Sequence, residues 1–182
     1  SIGGDNDLYN RVERWRLKAE AVGLPEFKDV VNVEYCRGLV KNCEKVDSPL
    51  VMSHNDLQMG NIMRNQESGK ITFVDYEYSG IAPRAFDIAN YLLEWMADYS
   101  DHKHRESMNV EKYPNTHEKC ELLAAYLQCE PQDPRVQQLE AEIAPFTPLS
   151  HLLWTLCAIH QSYCSEIDFD YIAYARTRHS LL

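Results

Sequence analysis

The chain has 182 residues, a net charge of −10 and 45% hydrophobic residues, which indicates one globular domain with a sizeable core. The acidity argues against a nucleic-acid partner, because phosphate binding needs a basic surface, and it is compatible with a cationic substrate. The N-terminal residues lack the apolar core of a secretory signal, and no apolar run is long enough to span a membrane. The six cysteines form no C-x-x-C pair, so we expect reduced thiols in a cytoplasmic protein.

Taken in chain order, the hydrophobic periodicity predicts a mainly helical fold with a small β element. Residues 1–7 are small and polar and are predicted to form a linker. We predict helices at residues 8–22, 27–45, 85–96, 118–128, 135–143, 149–164 and 168–182. The segment 149–164 is the most apolar and is expected to be the central core helix. Cys157 and Cys164 are seven residues apart, so we expect them to share its buried face.

The β element is predicted from a short buried strand at residues 50–52 and a hairpin that follows it. The hairpin strands carry Ile62 and Met63 on the way out and Ile71, Phe73 and Val74 on the way back. Its turn covers residues 66–70, where Gly69 can adopt a positive φ. Residues 77–84 are predicted to be irregular because Gly80 and Pro83 disfavour regular structure, and residues 100–116 to form a surface loop.

The residues that could carry chemistry lie in the loop and hairpin of this β element. His54-x-Asp56 is followed five residues later by Asn61, and Asp75 ends an apolar run. Kinases use this order, H-x-D-x-x-x-x-N and then a strand-terminal aspartate, for phosphoryl transfer. Asp56 can orient a substrate hydroxyl and accept its proton, and Asn61 offers a neutral oxygen to Mg²⁺. The hairpin should return Asp75 beside Asn61, with Glu77 on the same side.

Longer segments resemble the choline/ethanolamine kinase family. These are the loop SHNDLQMGNI, the run FVDYEYSG, the segment RAFDIANYLLEW, and SHLLWTL with IDFDYIAYARTRHSLL near the end. The resemblance implies that residues 8–182 are the C-terminal lobe of a protein-kinase-like α+β fold. None of the seven glycines forms a G-x-G-x-x-G loop, so we expect the N-terminal lobe that covers ATP to lie outside this sequence. We expect the isolated lobe to be inactive.

The same resemblance implies a role for individual residues. Asp56 is the catalytic base, while Asn61 and Asp75 hold Mg²⁺ on the phosphates of ATP and Glu77 contributes to a second ion. The positions that match the family's amine pocket, with a nearby tyrosine added, are Glu94, Trp95, Tyr99, Trp154, Tyr174 and Tyr78. Two residues are expected to be structural at the site: His54 braces the loop, and Asp87 caps the following helix and supports the loop.

The expected reaction is ATP-dependent phosphorylation of choline or ethanolamine, the first step of phosphatidylcholine and phosphatidylethanolamine synthesis. Choline is favoured, because Glu94-Trp95 and Tyr99 resemble choline kinases. Ethanolamine is close behind, because the wording DYEYSG resembles ethanolamine kinases and Cys157 stands where choline kinases typically carry a second tryptophan. An aminoglycoside-type phosphotransferase, a non-catalytic kinase-like interaction module and a metal-dependent hydrolase are the alternatives. The sequence leaves open whether Arg84 reaches a phosphate or forms an ion pair, and whether the protein is a homodimer.

Overall fold

The computed structural model describes residues 7–101 and 104–182. Within them the chain forms seven α-helices and four short strands. In chain order these are α1 (Asp7–Val22), α2 (Val33–Glu44), β1 (Leu50–Ser53), β2 (Ile62–Arg64), β3 (Ile71–Phe73), β4 (Gly80–Pro83), α3 (Arg84–Glu94), α4 (Thr116–Leu127), α5 (Pro134–Ile143), α6 (Phe146–Cys164) and α7 (Tyr171–His179). Short 3₁₀ turns lie at Pro25–Phe27, Met59–Asn61 and Val110–Lys112.

The helix α6 is the centre of the core, as its apolar sequence predicted. It packs against α1, α2, α3 and α7, and Leu149, Leu152 and Leu156 have no exposed surface. The helix begins three residues before the predicted start. This is because Pro148 falls in its first turn, where a missing backbone N–H costs no hydrogen bond.

Capping side chains set the helix starts that periodicity placed imprecisely. The predicted start of the second helix at residue 27 is wrong, because the side chain of Asn32 accepts hydrogen bonds from the backbone N–H groups of Glu34 and Tyr35 and starts α2 at Val33. Asn115 forms a capping box with Glu118 and starts α4 at Thr116. Asp7 is already part of α1, and the rest of the predicted linker, residues 1–6, lies outside the described residues.

The strands β1 and β4 form an antiparallel pair that the sequence did not predict. Leu50 pairs with Pro83 and Ser53 with Gly80, so the prediction of an irregular segment over residues 77–84 is wrong for its second half. Pro83 is tolerated because it is the last residue of a strand in a two-stranded ribbon. The prediction of a buried strand is also wrong, since Leu50 and Met52 are exposed.

The predicted hairpin of β2 and β3 is confirmed. Ile62 pairs with Phe73 and Arg64 with Ile71, and Gly69 in the turn has a φ of 69°. A positive φ of this size favours glycine, which is why the hairpin can close there. Both strands expose apolar side chains.

All six cysteines are free, and Cys157 is buried as expected. The expectation for Cys164 is wrong, because it lies in the last turn of α6, beyond the part of the helix that its neighbours cover. Among the described residues, no helix is both long and apolar enough to cross a membrane.

Candidate active site

The loop over residues 54–61, here called the catalytic loop, is held by α3. Asp87, in the first turns of α3, accepts hydrogen bonds from the backbone N–H groups of His54 (2.9 Å) and Asn55 (2.7 Å). The expected cap is absent, because Pro83 is the N-cap of α3 and both Asp87 oxygens are used by the loop. Asp87 therefore fixes where the loop leaves β1.

The side chain of His54 ties the catalytic loop to the end of β3. Its Nε2 donates to the carbonyl oxygen of Val74 at 2.9 Å, and its ring lies 5.0 Å from that of Tyr76. Since Val74 directly precedes Asp75, this hydrogen bond sets the position from which the Asp75 side chain projects. The hydrogen bond thus braces the catalytic loop against the segment that carries Asp75.

Two residues of the site have left-handed backbone conformations. Asn55 has a φ of 64° and Asp75 a φ of 65°, a region that Asn and Asp enter more readily than other non-glycine residues. Asn55 is held there by a hydrogen bond from Nδ2 to the carbonyl oxygen of Tyr78, at 3.0 Å. Such conformations persist where surrounding contacts fix them, and they cluster at functional sites.

Asn61 connects Asp56 to the hairpin. Its Nδ2 donates to the carbonyl oxygen of Asp56 (2.8 Å) and to Oδ2 of the same residue (3.2 Å). Its own carbonyl oxygen accepts the N–H of Val74 at 3.0 Å. The hairpin therefore brings the start of the Asp75 segment beside Asn61, which is the arrangement that the sequence predicted.

The pKa of Asp56 is raised by its surroundings. Burial raises the pKa of Asp56 to about 7, and the charges of Glu94, Asp75 and Glu77 add to the shift, while the hydrogen bond from Asn61 opposes it. Glu77 and Glu94 line the same cavity as Asp56. The site concentrates negative charge around one loop.

The donor set fits Mg²⁺ in its chemistry. Among the described residues no three His, Cys, Asp or Glu side chains form a metal cluster by themselves. Asn61 uses its amide nitrogen within the loop, which leaves the amide oxygen for a cation, and Asp75 and Glu77 are exposed carboxylates. Mg²⁺ is typically held by one or two carboxylates together with waters and substrate phosphates, so few protein ligands are needed.

A cavity of about 300 Å³ opens beside Asp56. We call it the amine pocket, after the role that the family resemblance implies for several of the residues that line it. Seven residues expected at the site line it: Asp56, Glu77, Tyr78, Glu94, Tyr99, Trp154 and Tyr174. The rings of Tyr78 and Trp154 meet edge to face with centroids 5.4 Å apart. Trp95 is not among the described residues that line the pocket and packs instead on Tyr91, with centroids 6.3 Å apart.

Cys157, which stands where choline kinases typically carry a second tryptophan, lines the pocket, and so does Tyr171. Sequence reasoning missed six further residues that complete it: Gln58, Arg105, Ala158, Gln161, Ile167 and Phe169. It also missed Asn90, a fully buried residue of α3 whose Oδ1 accepts hydrogen bonds from Trp154 Nε1 (2.7 Å) and Ser150 Oγ (2.8 Å). A polar residue inside the apolar run of α3 was the available signal for Asn90.

The floor of the amine pocket is a buried polar network. Glu94 accepts a hydrogen bond from the hydroxyl of Tyr99 at 2.8 Å and forms an ion pair with Arg178 of α7. Arg178 Nε donates to the hydroxyl of Tyr174 at 2.9 Å. Arg178 itself was not expected at the site.

A second cavity, of about 440 Å³, lies on the other side of the catalytic loop, and we call it the apolar groove. Its lining is mostly aliphatic and aromatic and includes Leu57, Ile62, Ile71, Phe73 and Tyr91. Arg84 lines its edge and forms an ion pair with Glu142, with Nη2 and Oε2 2.7 Å apart. Of the two roles that the sequence left open for Arg84, a phosphate contact or an ion pair, the structure shows the ion pair.

The chain is similar to known proteins along almost its whole length. The family model described as choline/ethanolamine kinase matches residues 5–182. The protein named probable choline kinase 2 of Arabidopsis thaliana is 38% identical over 182 residues, which cover 94% of this chain and 51% of the relative. The chain spans about half the length of the curated relatives of this kind that it matches.

Solved structures of choline and ethanolamine kinases are also similar to the chain. An ethanolamine kinase of Plasmodium vivax is 27% identical, with a TM-score of 0.79 over 99% of this chain and 50% of that one. A choline kinase of Cryptosporidium parvum is 26% identical, with a TM-score of 0.77 over 100% of this chain and 57% of that one. The fold is therefore that of a protein-kinase-like lobe, mainly α with small β ribbons, as the sequence indicated. The chain belongs to the choline/ethanolamine kinase family, which confirms the resemblance.

Proposed function

We propose that this chain is the catalytic lobe of an ATP-dependent kinase that phosphorylates the hydroxyl group of choline or ethanolamine. The observation that carries the proposal is that the carboxylate of Asp56 lines an aromatic pocket with an acidic floor, and is hydrogen-bonded to Asn61 at the base of the hairpin. A cationic amino alcohol fits the pocket, and its hydroxyl would lie beside Asp56.

Asp56 is the proposed catalytic base. A carboxylate whose pKa is raised to about 7, first by burial and then by the neighbouring acids, can orient a hydroxyl group and accept its proton near neutral pH. Asn61, Asp75 and Glu77 would hold magnesium ions and, through them, the phosphates of ATP. Bound Mg²⁺ would supply charge neutralisation for the transferred phosphoryl group.

Aromatic rings and one carboxylate would hold the ammonium group. Tyr78, Trp154 and Tyr174 line the pocket above Glu94, and each cation–π contact contributes about 0.5–2 kcal/mol. Cys157 occupies part of the wall next to Tyr78, and burial raises its pKa to about 12, so it is a neutral thiol. Choline remains the favoured substrate, because the number of aromatic rings suits a quaternary amine. Ethanolamine is close behind, because the thiol of Cys157 makes the cage less aromatic.

A separate N-terminal lobe is the proposed partner of the apolar groove. The exposed apolar side chains of the described residues concentrate on the strands and the turns beside them, and include Leu50, Met52, Met63, Ile71 and Phe73. Apolar surface on this scale is typical of an interface. Covering by the nucleotide-binding lobe would complete the ATP site, and the 182-residue chain alone is then expected to be inactive. A homodimer through this face is the alternative occupant.

The test is a substrate panel on the full-length protein with Mg²⁺ and ATP. We expect phosphomonoester products from choline and ethanolamine and none from an aminoglycoside. Turnover of the aminoglycoside alone would favour the antibiotic-type phosphotransferase. Binding of Mg-ATP without phosphorylation of any amino alcohol would favour a non-catalytic module and overturn the proposal.

A further inference from the structure

Two arginines of α7 form ion pairs in opposite surroundings. Arg176 is exposed and pairs with Glu26, with Nε and Oε2 2.8 Å apart. Arg178, two residues later, has no exposed surface and pairs with Glu94 on α3. Two residues correspond to a turn of about 200° on an α-helix, which is why one side chain points outward and the other into the protein.

The buried pair uses both oxygens of the Glu94 carboxylate. Oε1 accepts from Arg178 Nη2, and Oε2 accepts from the hydroxyl of Tyr99 at 2.8 Å. Arg178 also donates to the hydroxyl of Tyr174 at 2.9 Å, and its guanidinium carbon lies 5.3 Å from the centroid of that ring. Glu94, Tyr99 and Tyr174 all line the amine pocket, whereas Arg178 lies behind them.

Arg178 is the ion-pair partner of the buried Glu94 carboxylate. A buried carboxylate without a partner is expected to take up a proton, because its desolvation is not compensated. Burial alone would lower the pKa of Arg178, but its neighbours Tyr174 and Glu94 keep that pKa above the ordinary value, so the guanidinium stays positive. The pair thus fixes the position of the Glu94 carboxylate at the floor of the pocket.

The other charged and titratable groups near Glu94 come from four parts of the chain. Asp56 on the catalytic loop interacts with Glu94 through its charge, and Arg105 lies on another wall of the same pocket. His151 of α6 is close enough to Arg178 for that charge to lower its pKa further, after burial. Of these groups, Arg178 is the cation in direct contact with the Glu94 carboxylate.

We propose that Arg178 is a positioning residue for amine recognition: it holds the Glu94 carboxylate oriented in the pocket, a role that rests on the proposed function. Arg178 contacts no substrate and acts only through Glu94. Its loss should therefore weaken the binding of a cation while leaving the binding of an uncharged molecule of the same shape unaffected. A purely structural arginine would not make that distinction.

The experiment is steady-state kinetics of Arg178→Gln in the full-length protein. The acceptors are choline and its neutral isostere, in which a tert-butyl group replaces the trimethylammonium group. The KM for choline is expected to rise at least about tenfold, while the KM for the isostere, the KM for ATP and kcat stay within about twofold. Arg176→Gln is the matched control, the same change on the same helix, and is expected to leave all four values near wild type.

A conservative variant and a double variant complete the test. Arg178→Lys keeps the charge and is expected to hold the KM for choline within about threefold of wild type. If Arg178→Gln does not fold, Glu94→Gln is compared with Glu94→Gln/Arg178→Gln, and we expect no further change in the KM for choline.

Three results would overturn the role of Arg178. These are equal increases of KM for choline and the isostere, an unchanged KM for choline in Arg178→Gln, or an additional loss in the double variant. A wild-type protein that phosphorylates neither choline nor ethanolamine would instead contradict the proposed function itself. The two failures are therefore distinguishable.

Discussion

The two cavities beside the catalytic loop differ in almost every property that matters for binding. The amine pocket contains carboxylates, tyrosines and a tryptophan, whereas the apolar groove is lined mainly by aliphatic and aromatic side chains. Two consecutive residues of the catalytic loop line different cavities: Asp56 lines the amine pocket and Leu57 lines the apolar groove. The comparison teaches that a short loop can present chemistry on one side and an apolar surface on the other.

The helix α3 contributes side chains to both cavities, because its helical period places them on different faces. Glu94 faces the amine pocket and Asn90 supports it from behind, while Ile88 and Tyr91 line the apolar groove. Residues six apart on a helix, such as Ile88 and Glu94, lie on different faces, so a single helix can carry a charged wall and an apolar wall. Substitutions in the amine pocket should therefore change turnover, whereas substitutions in the apolar groove should change stability or assembly.

Apart from the loss of Asp56 itself, the largest effect is expected on the chemical side, from Asp75→Ala in the full-length protein. Loss of this carboxylate should lower turnover with Mg-ATP by about 10²–10⁴-fold, because stabilisation of the transferred phosphoryl group depends on it. Glu67→Ala, an exposed acidic residue in the turn of the same hairpin, is the control and should leave the rate unchanged. Wild-type turnover in Asp75→Ala would contradict the role that we assign.

The next largest difference is expected in the free energy of unfolding, between substitutions in the helical core and substitutions in the strands beside the apolar groove. Leu156→Ala on α6 removes a side chain with 0% exposure and is expected to cost about 2–5 kcal/mol of unfolding free energy. Leu50→Ala on β1 removes a side chain with 52% exposure and should cost less than about 1 kcal/mol in the 182-residue chain. Urea unfolding measures both. Equal losses would mean that the strands are covered as completely as the helical core.

The stability of the fold should also depend on pH, through the buried His151 of α6. Burial and the charge of Arg178 lower the pKa of His151 to about 3, whereas the unfolded chain binds a proton near pH 6.5. Between these values the unfolded state holds more protons, so stability falls as pH decreases below 6.5, by up to about 1.4 kcal/mol per pH unit. His151→Asn should flatten this slope, and His117→Asn on the exposed face of α4 should not.

The smallest effect concerns two tryptophans that the sequence assigned to one pocket. Trp154→Ala should raise the KM for choline by about 2–30-fold, which corresponds to one cation–π contact, with little change in the KM for ATP. Trp95→Ala is the control, because its ring packs on Tyr91 away from the amine pocket. An equal increase in both variants would mean that Trp154 contributes only packing.

The sequence predicted the elements whose signals are local. The catalytic loop residues, the β2–β3 hairpin with Gly69 and the apolar helix α6 follow from spacing, turn chemistry and periodicity. Strand β4 was missed because it forms only by pairing with β1, about thirty residues earlier in the chain. Arg178 and Asn90 were missed because their partners lie 84 and 64 residues away, and no local pattern reports such contacts.

The central claim is that the carboxylate of Asp56 activates an amino alcohol for phosphoryl transfer. Its most direct test is transfer of labelled γ-phosphate from Mg-ATP to choline and ethanolamine by the full-length protein and by Asp56→Ala, with folding of both checked by circular dichroism. We predict labelled phosphomonoester from the wild-type protein and none above background from a folded Asp56→Ala. Equal product formation by the two proteins would contradict the account.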